Sequence, residues 1–291
     1  MKLLSIIIPI HNAENSIGRT LQSLDRMAVR SKNSCELIIV DDGSTDNSTQ
    51  VVDEKQSELD DFDIKLFAQE NKGSGSARNA ALNKCEGTWI LFLDADDELF
   101  SDPVPVLEQY PDSSCIGFSV NLYKDPRHRT VVLPTRVTQR NYLRVFTSRN
   151  PFAISSLIFK KDRITTMFDE NFMYLEDWLF WVMNPDIFKE MEMCSARMIA
   201  NIHWHPDNKT SNELLHGKYR QKAAETMMDY FGDKLDPKQK NNLRIQADIG
   251  RIQQGGRTLG ALLPKIPCNM TLYAKLIMYY LKLARPFQPF K

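Results

Sequence analysis

Four short apolar runs, LLSIIIPI (3–10), ELIIV (36–40), DIKLFA (63–68) and TWILFL (88–93), alternate with helical patterns and constrain this chain more than any other feature. Runs this short and rich in β-branched residues read as strands. Between them, Ile17, Leu21, Leu24 and Ala28 recur at helical spacing, Asp46 can cap a helix running to about Ser57, and SGSARNAALNKC (74–85) is a third helix. Strand, helix and strand repeated in this way imply right-handed crossovers and an α/β fold, a Rossmann-like, mostly parallel sheet with helices on both faces. Ligands of such sheets bind at the carboxyl ends of the strands. The four runs are followed there by His11-Asn12, DDGSTDNS, QENKGSGSARN and DADD, so four polar clusters are expected along one edge.

The last cluster is the most telling. In WILFLDADDEL (89–99) a buried strand ends directly in Asp94, Asp96 and Asp97. Two like charges about 4 Å apart repel by roughly 4 kcal/mol at an effective dielectric near 20, so the cluster calls for a counter-ion. The first loop, HNAENSIGRT, lacks the Gly-x-Gly-x-x-Gly of a dinucleotide-binding fold and the Gly-x-x-x-x-Gly-Lys of a P-loop. It also lacks the Gly-rich, basic loop expected of a sugar nucleotidyltransferase.

In order and spacing, SIIIPIHNAENSIGRTLQSL, ELIIVDDGSTDNS, NKGSGSARNAAL and GTWILFLDADDEL closely resemble the inverting family-two glycosyltransferases with the GT-A fold. The resemblance spans residues 3 to 100 almost continuously. It implies a nucleotide-sugar site formed by Pro9, His11, Asn12, Glu14, Asp42, Lys72, Arg78, Asp94 and Ala95, with Asp42 on the base and Lys72 and Arg78 near the base and diphosphate. It also implies Mn²⁺ or Mg²⁺ on Asp94 and Asp96, joined by His205 when a Ser/Thr-rich loop closes. Hard cations of this kind take carboxylate and phosphate oxygens. Asp46 also reads as a helix cap, and Glu98 as a solvated turn residue.

Past residue 100, CIGFSV (115–120), TVVLP (130–134) and AISSLIFK (153–160) read as further strands, with a helical stretch near 139–148. FDENFMYLEDWLFW (168–181) resembles the family's Glu-Asp pair, which makes Asp177 the catalytic base and puts Glu176 and Trp178 on the acceptor. By spacing alone, two acids opening a helix merely complement its dipole, and Trp178 with Trp181 is more often core. His203 and His205 alternate on an extended segment without further ligands at zinc spacing.

The expected organisation is a GT-A domain over 1–211, with a donor half (1–100) and an acceptor half (101–211), followed by a basic helical extension over 212–291. Helices are expected near 212–231, 237–254 and 271–285. Formal net charge is zero, yet residues 234–291 hold eleven Lys or Arg against Asp236 and Asp248. That surplus suits an anionic membrane or partner; no nucleic-acid module accompanies it. The longest apolar runs are strand-sized and no leader is evident, which places the protein in the cytoplasm, with the inner face of the plasma membrane as an alternative address. Five cysteines without a Cys-x-x-Cys pair suggest neither a disulfide framework nor a zinc site. The function expected is metal-dependent, inverting transfer of one sugar from a nucleotide-sugar, UDP-linked first of all, to a growing bacterial surface glycan that can be lipid-linked. The alternative is a non-catalytic nucleotide-sugar or glycan-binding module.

Overall fold

The structure, a computed structural model, describes residues 2–56, 58–59, 61–125, 127–204 and 212–255. The chain divides into two units, Met1–Asn208 and Lys209–Lys291.

In the first unit the four expected strands form as β1 (Leu4–Ile10), β2 (Cys35–Asp42), β3 (Asp63–Gln69) and β4 (Trp89–Phe92), parallel and in the order β3-β2-β1-β4. Ile6, Ile8, Leu37 and Ile39 cluster with Ile17 and Leu21 of α1 (Ile17–Ser23) and Val52 of α3 (Ser48–Gln56). On the other face Ile7, Ile38 and Val40 are buried, and α4 (Ser74–Lys84) packs on β1 and β2. Pro9 is tolerated inside β1 because Ile7 C=O, and hence Pro9 N two residues on, faces β4, whose pairing has already ended at Phe92. At the opposite end of the sheet, burial raises the pKa of Glu36, but bonds from Ser5 Oγ, the Glu86 and Gly87 amides and Lys65 outweigh it and hold the carboxyl below its ordinary range.

The sheet continues through β8 (Leu157–Lys160), antiparallel to β4, then β6 (Cys115–Asp125), β9 (Met191–His203) and β5 (Glu98–Leu99); β7 (His128–Val132) pairs with β6 as a hairpin. β9 is parallel to β6, and β5 joins it antiparallel through Glu98↔Asn201 and Leu99↔Ala200. Thus the chain leaving the acidic run is fixed to the last long strand. The short helices α5 (Val104–Gln109), α6 (Tyr142–Phe146) and α7 (Glu176–Met183) complete this half.

Several expectations change. The helix begun at Ile17 stops at Ser23, a 3₁₀ turn covers Leu24–Arg26, and α2 (Val29–Ser34) follows, so Met27 rather than Ala28 packs inward. The Asp102 carboxylate accepts from the Ala28 amide and ties down this break. Residues 154–156 form a 3₁₀ turn before β8 rather than its first half. β5, β9 and α5 were not anticipated.

In the second unit α8 (Glu213–Phe231) and α9 (Pro237–Gln253) form near the expected bounds; Asp236 and Gln239 close a capping box at the start of α9. A Cβ on Gly217 would lie 2.7 Å from the Gly250 carbonyl oxygen, so the two helices meet at glycine. Among the described residues no helix is long and apolar enough to cross a membrane. The helix expected over 271–285 lies outside the described residues.

Candidate active site

The loops after β1 and β2 are zipped together by local hydrogen bonds. The Asn12 amide, in a left-handed conformation (φ 50°), donates to Ser44 Oγ at 3.0 Å, and Asn12 Oδ1 accepts from the Thr45 amide at 2.8 Å. Glu14 Oε2 accepts from the Asn47 amide and side chain, both at 3.0 Å. Asp46 takes bonds from the Ser48 and Glu14 amides, so it holds the start of α3 and also ties that start to the first loop.

Asp42 reaches across to the loop after β3. Its Oδ1 accepts from Gln69 Nε2 (2.8 Å) and the Lys72 amide (2.9 Å), its Oδ2 from the Gly73 amide (2.7 Å). His11 Nδ1 lies 2.9 Å from the Asp42 carbonyl, which can only accept, so Nδ1 carries a proton; Nε2 faces Asn71 Nδ2 at 3.1 Å. Gly73 has φ 92°, and a Cβ there would lie 2.9 Å from Met173 Sδ, so this loop packs directly on the segment leading into α7. The Lys72 side chain is exposed.

The opening electrostatic problem has two answers. One is internal: Arg78 of α4 is buried, with Nη2 2.7 Å from Asp94 Oδ1 and Nη1 2.9 Å from Glu176 Oε1. Burial alone lowers its pKa, but Asp94 and Glu176 raise it further, so it stays charged. One guanidinium thus joins the acidic run to the first residue of α7; among the described residues its Nε alone has no partner. The other answer is an excess of acid that one arginine does not neutralise. Asp94, Asp96 and Asp97 each offer a carboxylate oxygen within 4.8 Å of the others, a hard-oxygen set that fits Mg²⁺ or Mn²⁺. Burial, then Asp94 and Asp96, push the Asp97 carboxyl well above its ordinary range. From α1, Thr20 Oγ1 donates to the Ala95 carbonyl and Arg19 Nη2 to that of Asp96, both at 2.8 Å.

Glu98 is not a solvated turn residue. It begins β5 and binds Arg19 Nε (3.2 Å), Arg26 Nη2 (3.2 Å) and His203 Nε2 (2.9 Å), the last ring stacking on Tyr123. His205 lies outside the described residues.

Asp177 lies half-buried in the first turn of α7, directly after Glu176. The Trp178 amide donates to its Oδ1 at 2.8 Å, and Asn150 Nδ2 to its Oδ2 at 2.7 Å. Burial, reinforced by Glu176, raises its carboxyl to about 7 against the opposing pull of Arg78 and these two donors. The residue before the pair, Leu175, has φ 58°, a left-handed conformation costing a non-glycine residue about 1–3 kcal/mol.

Two acceptor assignments are corrected. Trp178 is 1% exposed and its indole N–H donates to the Phe146 carbonyl at 3.0 Å, so its ring packs in the core and offers no face to a sugar. Glu176 is buried, its Oε1 accepting from Ser74 Oγ and Arg78, and acts as a tie between α7 and α4 rather than an acceptor contact. Sequence reasoning missed Asn150, 27 residues upstream of its partner and without any local signal, and missed Arg19 and Thr20, which sit mid-helix in IGRTLQS with no local mark to set them apart from its other polar residues.

The family described as "Glycosyl transferase family 2" matches residues 5–178. An uncharacterized glycosyltransferase of Haemophilus influenzae is 29% identical over 195 residues, 66% of this chain and 74% of the relative. The minor teichoic acid biosynthesis protein GgaA of Bacillus subtilis is 30% identical over 204 residues, 65% of this chain but only 44% of that longer protein. Among solved structures, S. aureus TarS 1-349 in complex with UDP-GlcNAc is similar with a TM-score of 0.64 at 21% identity, over 87% of this chain and 73% of that one. The fold is that of the GT-A glycosyltransferases.

Proposed function

The chain belongs to glycosyl transferase family 2, and from that premise we propose an inverting, metal-dependent transferase that moves one sugar from a nucleotide-linked donor to a hydroxyl of a bacterial surface glycan. The observation that carries this reading is the Asp94–Arg78–Glu176 bridge, which holds the acidic cluster and the turn bearing Asp177 one guanidinium apart. A UDP-linked donor is favoured by the likeness to a protein solved with UDP-GlcNAc, and a surface glycan by the relative named for teichoic acid biosynthesis.

In this mechanism His11, Asn12 and Asp42 shape the base pocket, Asp42 retaining lone-pair capacity beyond its three loop bonds. Pro9, Glu14, Lys72 and Ala95 complete the proposed nucleotide-sugar set, with Arg78 contributing its charge from beneath through its bond to Asp94. Asp96 and Asp94, with His205 outside the described residues, are the proposed ligands of Mn²⁺ or Mg²⁺, which when bound supplies positive charge against the departing diphosphate. Asp177 takes the proton of the acceptor hydroxyl. That oxygen forms a bond to the sugar's anomeric carbon on the face opposite the bond to the diphosphate, which breaks, and the nucleoside diphosphate leaves. Asn150 and the Trp178 amide fix the carboxylate for this step. The site works on the cytoplasmic side, where nucleotide-sugars are made.

The pH profile of transfer tests the base. A carboxyl raised to about 7 is protonated, and idle, below that pH. The expected kcat/KM falls about tenfold per unit below pH 7 and levels off above it. A profile flat down to pH 5 would remove Asp177 from the role, and nucleotide binding without turnover of any donor would favour the non-catalytic binding module.

A further inference from the structure

The segment 124–149 carries seven Lys or Arg against Asp125 alone. Its six arginines, Arg127, Arg129, Arg136, Arg140, Arg144 and Arg149, are all exposed, and among the described residues none pairs with a carboxylate. Beside them three consecutive apolar side chains stand open to water: Val131 at 40%, Val132 at 37% and Leu133 at 62% exposure. β7 pairs with β6 alone among the described strands, and both its faces are exposed. We propose that the β6–β7 hairpin and the loop running into α6 form a docking surface for the anionic phospholipid headgroups of a bilayer.

Three occupants can be weighed by charge and polarity. A second copy would bring an equal set of unpaired arginines against these, a repulsion that disfavours self-pairing along the open edge of β7. A soluble polyanion would satisfy the arginines but leave Val131, Val132 and Leu133 in water. A bilayer answers both: guanidinium forks match phosphodiester oxygens, and the exposed apolar residues where β7 ends, Leu133 foremost, enter the boundary between headgroups and acyl chains. Exposed apolar edge strands are otherwise an aggregation hazard.

The α6 end of this surface also lies next to the proposed base. The Phe146 carbonyl of α6 accepts the Trp178 indole N–H, and Asn150, one residue past Arg149, donates to Asp177. Docking here would bring a membrane-borne acceptor hydroxyl to Asp177, a consequence that rests on the transferase reading; the surface itself does not.

The test is sedimentation of the full chain with vesicles of equimolar phosphatidylglycerol and phosphatidylcholine, and with phosphatidylcholine alone. Wild type is expected to bind only the anionic vesicles and to release in about 0.5 M salt. Each arginine near an anionic surface contributes on the order of fivefold, so Arg127→Gln/Arg129→Gln/Arg136→Gln should weaken partitioning on the order of a hundredfold. Leu133→Asp should weaken it about tenfold or more, while Lys275→Glu/Lys282→Glu in the basic C-terminal region should leave most of it. Anionic-vesicle binding unchanged in the triple arginine variant would overturn the proposal. So would a silent Leu133→Asp with inorganic polyphosphate bound as tightly as vesicles, which would assign the arginines to a soluble polyanion. All these positions lie outside the donor site, so UDP-induced stabilisation, read in the same variants, reports separately on the transferase reading.

Discussion

Asp177→Asn is expected to reduce transfer about 10²–10⁴-fold, the range typical of a lost general base, while leaving nucleotide binding intact. The substitution keeps the shape of the side chain, and its hydrogen bonds can be rebuilt. The oxygen of the new carboxamide can still accept from the Trp178 amide; its NH₂ group can donate to Asn150 if that side chain turns over, giving up only its 3.4 Å contact with the Phe152 amide. Folding should not suffer. The wild-type carboxyl titrates near 7 in the folded protein and near 4 when unfolded, so ionising it weakens the fold as pH rises through that window. The variant removes that penalty and should melt at the same or a higher temperature than wild type at pH 8. Stable protein with lost turnover separates a base from a structural acid; normal turnover would end the assignment.

Arg78→Met should strongly destabilise the first unit. It preserves much of the volume but leaves Asp94 and Glu176 without their shared cation, in a pocket where Phe92 and Phe168 flank the guanidinium. Removing one partner of a buried ion pair typically costs about 3–5 kcal/mol. In a unit of this size that corresponds to a fall in melting temperature on the order of 10 °C. Arg78→Lys cannot span both acids and should fall between the two. Because the bridge also holds the acidic run against α7, Mn²⁺ should recover part of the loss by neutralising Asp94. A loss below about 1 kcal/mol by urea titration would mean that the bridge is not what joins the two halves.

How much of this was legible in the sequence depended on where the information was local. β1 to β4 could be read because their apolar runs are short, β-branched and bounded by polar loops. β9 could not: MEMCSARMIANIH has only Ile199 and Ile202 as β-branched residues, and it becomes a strand by pairing along β6, with register shifts at Phe118 to Val120. The carboxylates of the acidic run and Asp177 were legible as residue types. Their internal partners were not, because Arg78 meets Glu176 across 98 residues and Asn150 reaches Asp177 from a separate loop. Trp178 shows the limit of adjacency. On a helix the next residue points about 100° away, and here that turns the indole from the site into the core.

The measurement that bears most directly on the account is thermal unfolding with UDP, with and without Mn²⁺, in wild type and in Asp96→Ala. A ligand at a hundred times its Kd stabilises the fold by about 2.7 kcal/mol, a rise of roughly 5–10 °C for a unit of this size. The expected result is a UDP shift that depends on Mn²⁺ in wild type and is lost in Asp96→Ala. An equal shift without the metal, or one retained in the variant, would contradict the placing of donor and cation on the acidic run after β4.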